Sequence, residues 1–143
     1  VDTLTVPSRV RQPTVTLWLL RIGLTVHVLV AALQPVLAGM FLTGDVDAID
    51  AHAATASTLG LICIACVAIS IGYVVAGRGR IWILPALLAL LTVEVGQIIV
   101  GYLRVLQVHI PGGVLIVSVA LLLAVWVWTP AAARPRRPRG ATR

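Results

Sequence analysis

Two histidines stand in matching places in this chain, and they have the most chemistry to offer. His52 opens one long apolar stretch and His109 opens another. Ahead of the first run Gln34-Pro35-Val36-Leu37-Ala38-Gly39 and a short acidic connection; ahead of the second run Gln97-Ile98-Ile99-Val100-Gly101 and a short link. Glutamine, small residues four or five positions later, a turn, then histidine: the order occurs twice, as a duplicated helical hairpin would write it. Imidazole is a ready metal ligand, so two imidazoles in equivalent positions form a candidate ligand pair.

The other polar side chains sit singly in apolar surroundings. His27 lies deeper in its stretch than Gln34, and hydrogen bonding is its expected role. Glu94 stands alone in an apolar run, where an unpartnered carboxylate is costly. His27 and Gln97 are within its reach, and its expected role is a buried hydrogen bond, with a proton relay or quinone site as the other reading. Cys63 and Cys66 read as inert small hydrophobes, because a redox or zinc-binding CxxC needs an aqueous loop and further ligands.

The elements that carry these residues follow from composition. Of 143 residues, 59% are hydrophobic and 11% charged, with a mean hydropathy of +1.04. A soluble domain of this size needs roughly twice that share of charge. Apolar segments fall at 17–42, 51–76, 81–106 and 109–128, each with at least the ~20 residues that cross a bilayer as a helix. A polar arm, 1–16, precedes them and a basic, proline-rich tail, 129–143, follows, too charged to fold. Short connections make neighbouring helices antiparallel. The fold expected is all-α, an up-down four-helix bundle in the membrane, built from two repeated hairpins.

All eleven basic residues are arginine. All but Arg104 lie on the side of the termini and the Gly77-Arg78-Gly79-Arg80 turn, which the positive-inside rule places in the cytoplasm of a plasma-membrane protein. Trp18, Tyr73, Trp82, Trp126 and Trp128 fall on that same side, as an aromatic belt would. A pI near 11.1 invites a nucleic-acid reading, but arginines that flank apolar spans are explained by topology, with lipid headgroups as the partner. No cleavable leader is expected, the first apolar run being too long.

Helical spacing gives each span one small or polar face. Gly23, His27, Ala31, Gln34 and Ala38 share a stripe, as do His52, Ala56, Gly60, Cys63 and Ser70. On the third span Glu94, Gln97, Gly101 and Arg104 align; on the fourth, His109, Gly112, Gly113, Ile116 and Ala120. In an up-down bundle the second and fourth helices face each other diagonally. His52 and His109 then meet across the core at one depth, as two axial ligands of a haem would. Ala56, Gly112 and Gly113 leave room for a flat porphyrin, and Arg104 is the cation available to its propionates.

The doubled glutamine–small–histidine pattern, with about sixty residues between the histidines, resembles one half of haem A synthase over roughly 30–123. Members of that family have two four-helix bundles, each with a histidine pair near the outer face, and the resemblance implies that His52 and His109 match one such pair. Here Ile49 stands where the family has a glutamate three residues before the histidine, the paired outer cysteines are missing, and one bundle offers one site. The expectation is therefore a small membrane protein carrying one bis-histidine haem b for electron transfer or haem handling. A larger membrane redox complex or a second copy of the chain would be its partner. The competing class is a cofactor-free accessory subunit of a respiratory or transport complex; a carrier using Glu94 is a third.

Overall fold

Four apolar helices make up almost all of residues 14–136, the part of the chain described in the computed structural model: α1 Val15–Leu42, α2 Asp47–Val75, α3 Ile83–Tyr102 and α4 Leu106–Trp128, followed by a single turn, α5 Pro130–Ala133. All four long helices have the length and composition to cross a bilayer, and the protein is a multi-pass, all-α membrane protein. Residues 1–13 and 137–143, most of the polar arm and the arginine-rich end of the tail, lie outside the described residues.

Local chemistry sets the ends. The Thr14 side chain accepts a hydrogen bond from the Leu17 amide and caps α1. Asp47 and Asp50 occupy the first turn of α2, where negative charge suits the helix dipole. The helix therefore begins before the apolar run does, and His52 sits in its second turn rather than at its start. At the other boundary α3 stops at Tyr102, four residues before the expected end, because Arg104 takes a left-handed backbone (φ 57°) and turns the chain into α4.

The tail beyond Trp128 departs from expectation. Pro130–Ala133 forms a helical turn, and the buried Tyr73 hydroxyl donates to the Ala132 carbonyl at 2.7 Å. The Arg136 amide donates to the Arg78 carbonyl at 2.8 Å, tying the start of the tail to the α2–α3 turn. A Cβ on Gly79 would fall on the Tyr73 ring, so glycine is what lets that turn lie over the phenol. Proline here starts a helix at its first position instead of breaking one.

α1 packs against α2 and α4, and α3 packs against the same two. The helices thus form a closed square with α1 and α3 on one diagonal, α2 and α4 on the other. The square is not closed along its whole height. At the arginine-bearing end, burial reaches almost to the helix termini: Leu17 and Leu20 on α1, Ser70 and Tyr73 on α2, Ile83 and Leu87 on α3, Leu123 and Val127 on α4. Arg21 is buried there too, its Nε donating to the Val127 carbonyl at 3.1 Å and its guanidinium lying 4.9 and 5.0 Å from the Trp18 and Trp128 rings. Toward the other end burial stops at Ala31, Leu59, Glu94 and Ile116, with Ala48 alone beyond. At 1.5 Å per residue, roughly 12–18 Å of each helix then lacks a closed core. Pro35 in α1 and Pro111 in α4 lie in this open part, where each removes a backbone bond and lets its helix bend.

Candidate functional site

The open end holds the histidine pair. His52 and His109 are half-buried and come together across the α2–α4 diagonal, ring centres 6.1 Å apart and planes at 66°. Each ring is anchored in the same way to the preceding helix of its own hairpin: His52 Nδ1 to the Gln34 carbonyl at 3.2 Å, His109 Nδ1 to the Gln97 carbonyl at 3.0 Å. A carbonyl only accepts, so Nδ1 carries the hydrogen on both rings, and in a neutral ring so held Nε2 is the nitrogen with the lone pair. Metal-ligating histidines are commonly held this way, the distal N–H given to a carbonyl.

The separation is worth testing against a shared metal. Imidazoles on opposite sides of one ion, each nitrogen about 2 Å from it, have ring centres about 6 Å apart. Edge-to-face packing of two rings covers the same range, so the distance permits a metal without demanding one. The anchoring of both Nδ1 atoms is the stronger observation.

The space around the rings is uneven. Gly101 is a close-approach position: a Cβ there would come within 2.8 Å of the His109 ring. Gly113 faces open space. The notch at Gly112 is not open; the Gln97 amide fills it, where a Cβ would collide with the side-chain nitrogen. That amide is poorly held, its nitrogen 3.5 Å from the Val108 carbonyl and its buried oxygen without a partner. Gln34 is held better, its nitrogen donating to Thr55 Oγ1 at 2.7 Å. Ala56 is half-buried, one helical turn below His52, and Arg104 is exposed at the rim.

In comparisons with protein-family models, with curated proteins and with solved structures, nothing matches the chain.

Below the pair, where the square closes, lies a second polar group. His27 Nε2 and Glu94 Oε1 share a 2.7 Å hydrogen bond across the α1–α3 diagonal, the two side chains 1% and 3% exposed. Glu94 thus meets His27 and not Gln97, which belongs to the outer layer. Cys63 of α2 completes the group: a nitrogen, a sulfur and a carboxylate oxygen from the three residues lie within 4.8 Å of one another. Cys63 and Cys66 are both buried and free, as small hydrophobes would be, but Cys63 also lies beside the His27–Glu94 pair. The signal in the sequence was the shared helical stripe of His52, Ala56 and Cys63, which turns the thiol inward with the histidine.

Proposed function

We propose that the protein binds one haem b between His52 and His109 and serves electron transfer or haem handling at the outer side of a plasma membrane. The observation that carries this reading is the matched anchoring of the two rings, each Nδ1 given to the carbonyl of a glutamine one helix earlier and each Nε2 left free. His52 and His109 would be the axial ligands, with Gly113 and Ala56 beside the macrocycle and Arg104 at the rim for its propionates. Bound there, a haem supplies one-electron redox chemistry. The residues orient it: the carbonyl bonds fix ring direction and raise imidazole basicity, and the apolar helices keep bulk water away. The two equivalent bonds also favour an origin of the chain by hairpin duplication. A larger membrane redox complex or a second copy of the chain would exchange the electron.

The test is an absorption spectrum of the detergent-purified protein expressed with ample haem. A sharp reduced α-band and a low-spin Soret band should appear, and His52→Ala or His109→Ala should each abolish the six-coordinate signature. His27→Ala should leave it, since that ring belongs to the deeper layer. Protein that purifies colourless and takes up no haem on titration overturns the reading. It would favour the cofactor-free accessory subunit, the reading that draws on the Gln97 amide seated at Gly112.

The arginine-bearing end is assigned to the cytoplasm, with Arg21, Arg78, Arg80, Arg134 and Arg136 near it and Arg104 at the other end. A reporter active only outside the cell, fused after residue 143, should stay silent; a strong signal reverses the orientation.

A further inference from the structure

We propose that His27, Cys63 and Glu94 form a three-ligand site for a borderline divalent metal ion, zinc by preference, in the middle of the membrane. The three come from α1, α2 and α3, all in the buried part of the bundle, with Cys63 at 0% exposure. Their ligand atoms lie within 4.8 Å of one another. In a tetrahedral site with the usual metal–nitrogen, –sulfur and –oxygen lengths, the ligand atoms stand about 3.4–3.6 Å apart. The 2.7 Å contact between His27 and Glu94 therefore opens by less than about 1 Å as an ion enters, and the longest separation closes by about 1 Å.

A second observation points to a ligand. Among the described residues Glu94 Oε2 is buried with no hydrogen-bond partner, and the Cys63 thiol, near Glu94, makes a long 3.8 Å contact with the Leu87 carbonyl. The carboxylate oxygen and the weakly held thiol therefore leave ligand capacity unused beside His27 Nε2, in a place where unsatisfied polar atoms are costly. Charge favours the assignment. One thiolate, one carboxylate and one neutral imidazole around a divalent ion sum to zero, the total that a low-dielectric interior tolerates best. The donor set selects the ion: thiolate with imidazole disfavours magnesium and calcium, and the carboxylate disfavours copper(I). Three protein ligands leave a fourth position for water or a small anion, as in zinc sites that do chemistry. Binding displaces the protons held by the Cys63 thiol and the His27–Glu94 pair, which leave through the open end of the bundle as the ion arrives.

The experiment uses the full chain in detergent, haem-free and stripped with a chelator, titrated with Co2+. One equivalent should produce intense tetrahedral visible bands and a near-ultraviolet thiolate-to-cobalt charge-transfer band, both displaced by Zn2+. Cys63→Ser should remove the charge-transfer band, and Glu94→Gln or His27→Gln should weaken binding at least tenfold. Cys66→Ser should leave all bands in place, and thermal melts followed by circular dichroism identify any variant that has lost its fold. A chain that keeps its helical melt but shows no charge-transfer band at stoichiometric Co2+ overturns the proposal. So do visible bands that survive Cys63→Ser and vanish with His52→Ala and His109→Ala combined, since the ion then sits at the outer pair. The thiolate band is independent of haem, so this site and the outer one stand or fall separately.

Discussion

The two ends of the bundle are built from the same kinds of residue and differ in how far they close. At the arginine-bearing end every helix puts leucine, isoleucine, valine or tyrosine into a sealed core, and Arg21 itself is drawn in against Trp18, Trp128 and a carbonyl of α4. At the histidine end the helices run on with Ala48 the one buried side chain among the described residues, and the polar contacts between them are hydrogen bonds from the histidine rings and the Gln34 and Gln97 amides. Between the two lies the His27–Cys63–Glu94 group, at the level where burial stops. Stability is thus concentrated in one half and leaves the other half open between its helices. A site that must admit something between helices belongs in the half that contributes least to holding them together.

The comparison predicts a graded set of effects on unfolding in mixed micelles. The largest should come from the sealed half: Leu20→Ala, at a wholly buried position, should cost about 2–4 kcal/mol, whereas Ile99→Ala, half-exposed at the open end, should change stability by less than about 0.5 kcal/mol. Equal costs at the two positions would break the distinction between the ends. At the boundary Glu94→Leu should cost on the order of 1–2 kcal/mol by stranding His27, and Glu94→Gln much less, because an amide still reaches the ring. If the two substitutions destabilise equally, the 2.7 Å bond is not what holds α1 to α3 there. Removing the outer glutamines should cost less than Glu94→Leu. Gln34→Ala should lose about 1 kcal/mol with its Thr55 bond, and Gln97→Ala about 0.5 kcal/mol or less, since its amide has only a marginal contact. Under the haem reading Gln97→Ala should also speed haem uptake by vacating the notch at Gly112, while Gly113→Leu should block uptake from what is open space. Uptake unchanged in both variants would remove the glycine face from the site.

Much of this was legible in the residues. Four apolar stretches with short links specify an up-down bundle because lipid leaves the backbone no alternative to helix. The glutamine–histidine register brought His52 and His109 to one depth. What could not be read was closure. Leucine, isoleucine and valine face lipid and core alike in a membrane, so hydropathy carries no record of which of them meet. The neighbours of Cys63 were hidden for a related reason: they are on α1 and α3, and only the relative heights of three helices bring a thiol to the His27–Glu94 pair. The Gln97 amide at Gly112 was equally hidden, since spacing shows that a glycine leaves room but not what takes it. The helical turn at Pro130 was missed because proline and arginine content argued against order, while the Tyr73 hydroxyl that secures it lies 59 residues earlier.

Arg21 and its carbonyl partner at Val127 are 106 residues apart, and that interval has a meaning for how the bundle is made. A ribosome adds about 5–20 residues per second, so the first span waits on the order of 5–20 s for the strand of chain that satisfies its guanidinium. Through that time Trp18, one turn away, is the partner that α1 itself supplies, and the long arginine stem lets the charge stay in the headgroup layer. The end of the bundle that is most tightly sealed is therefore the last to be sealed. A nascent chain halted before α4 emerges should hold its first helix higher in the membrane than the finished protein does.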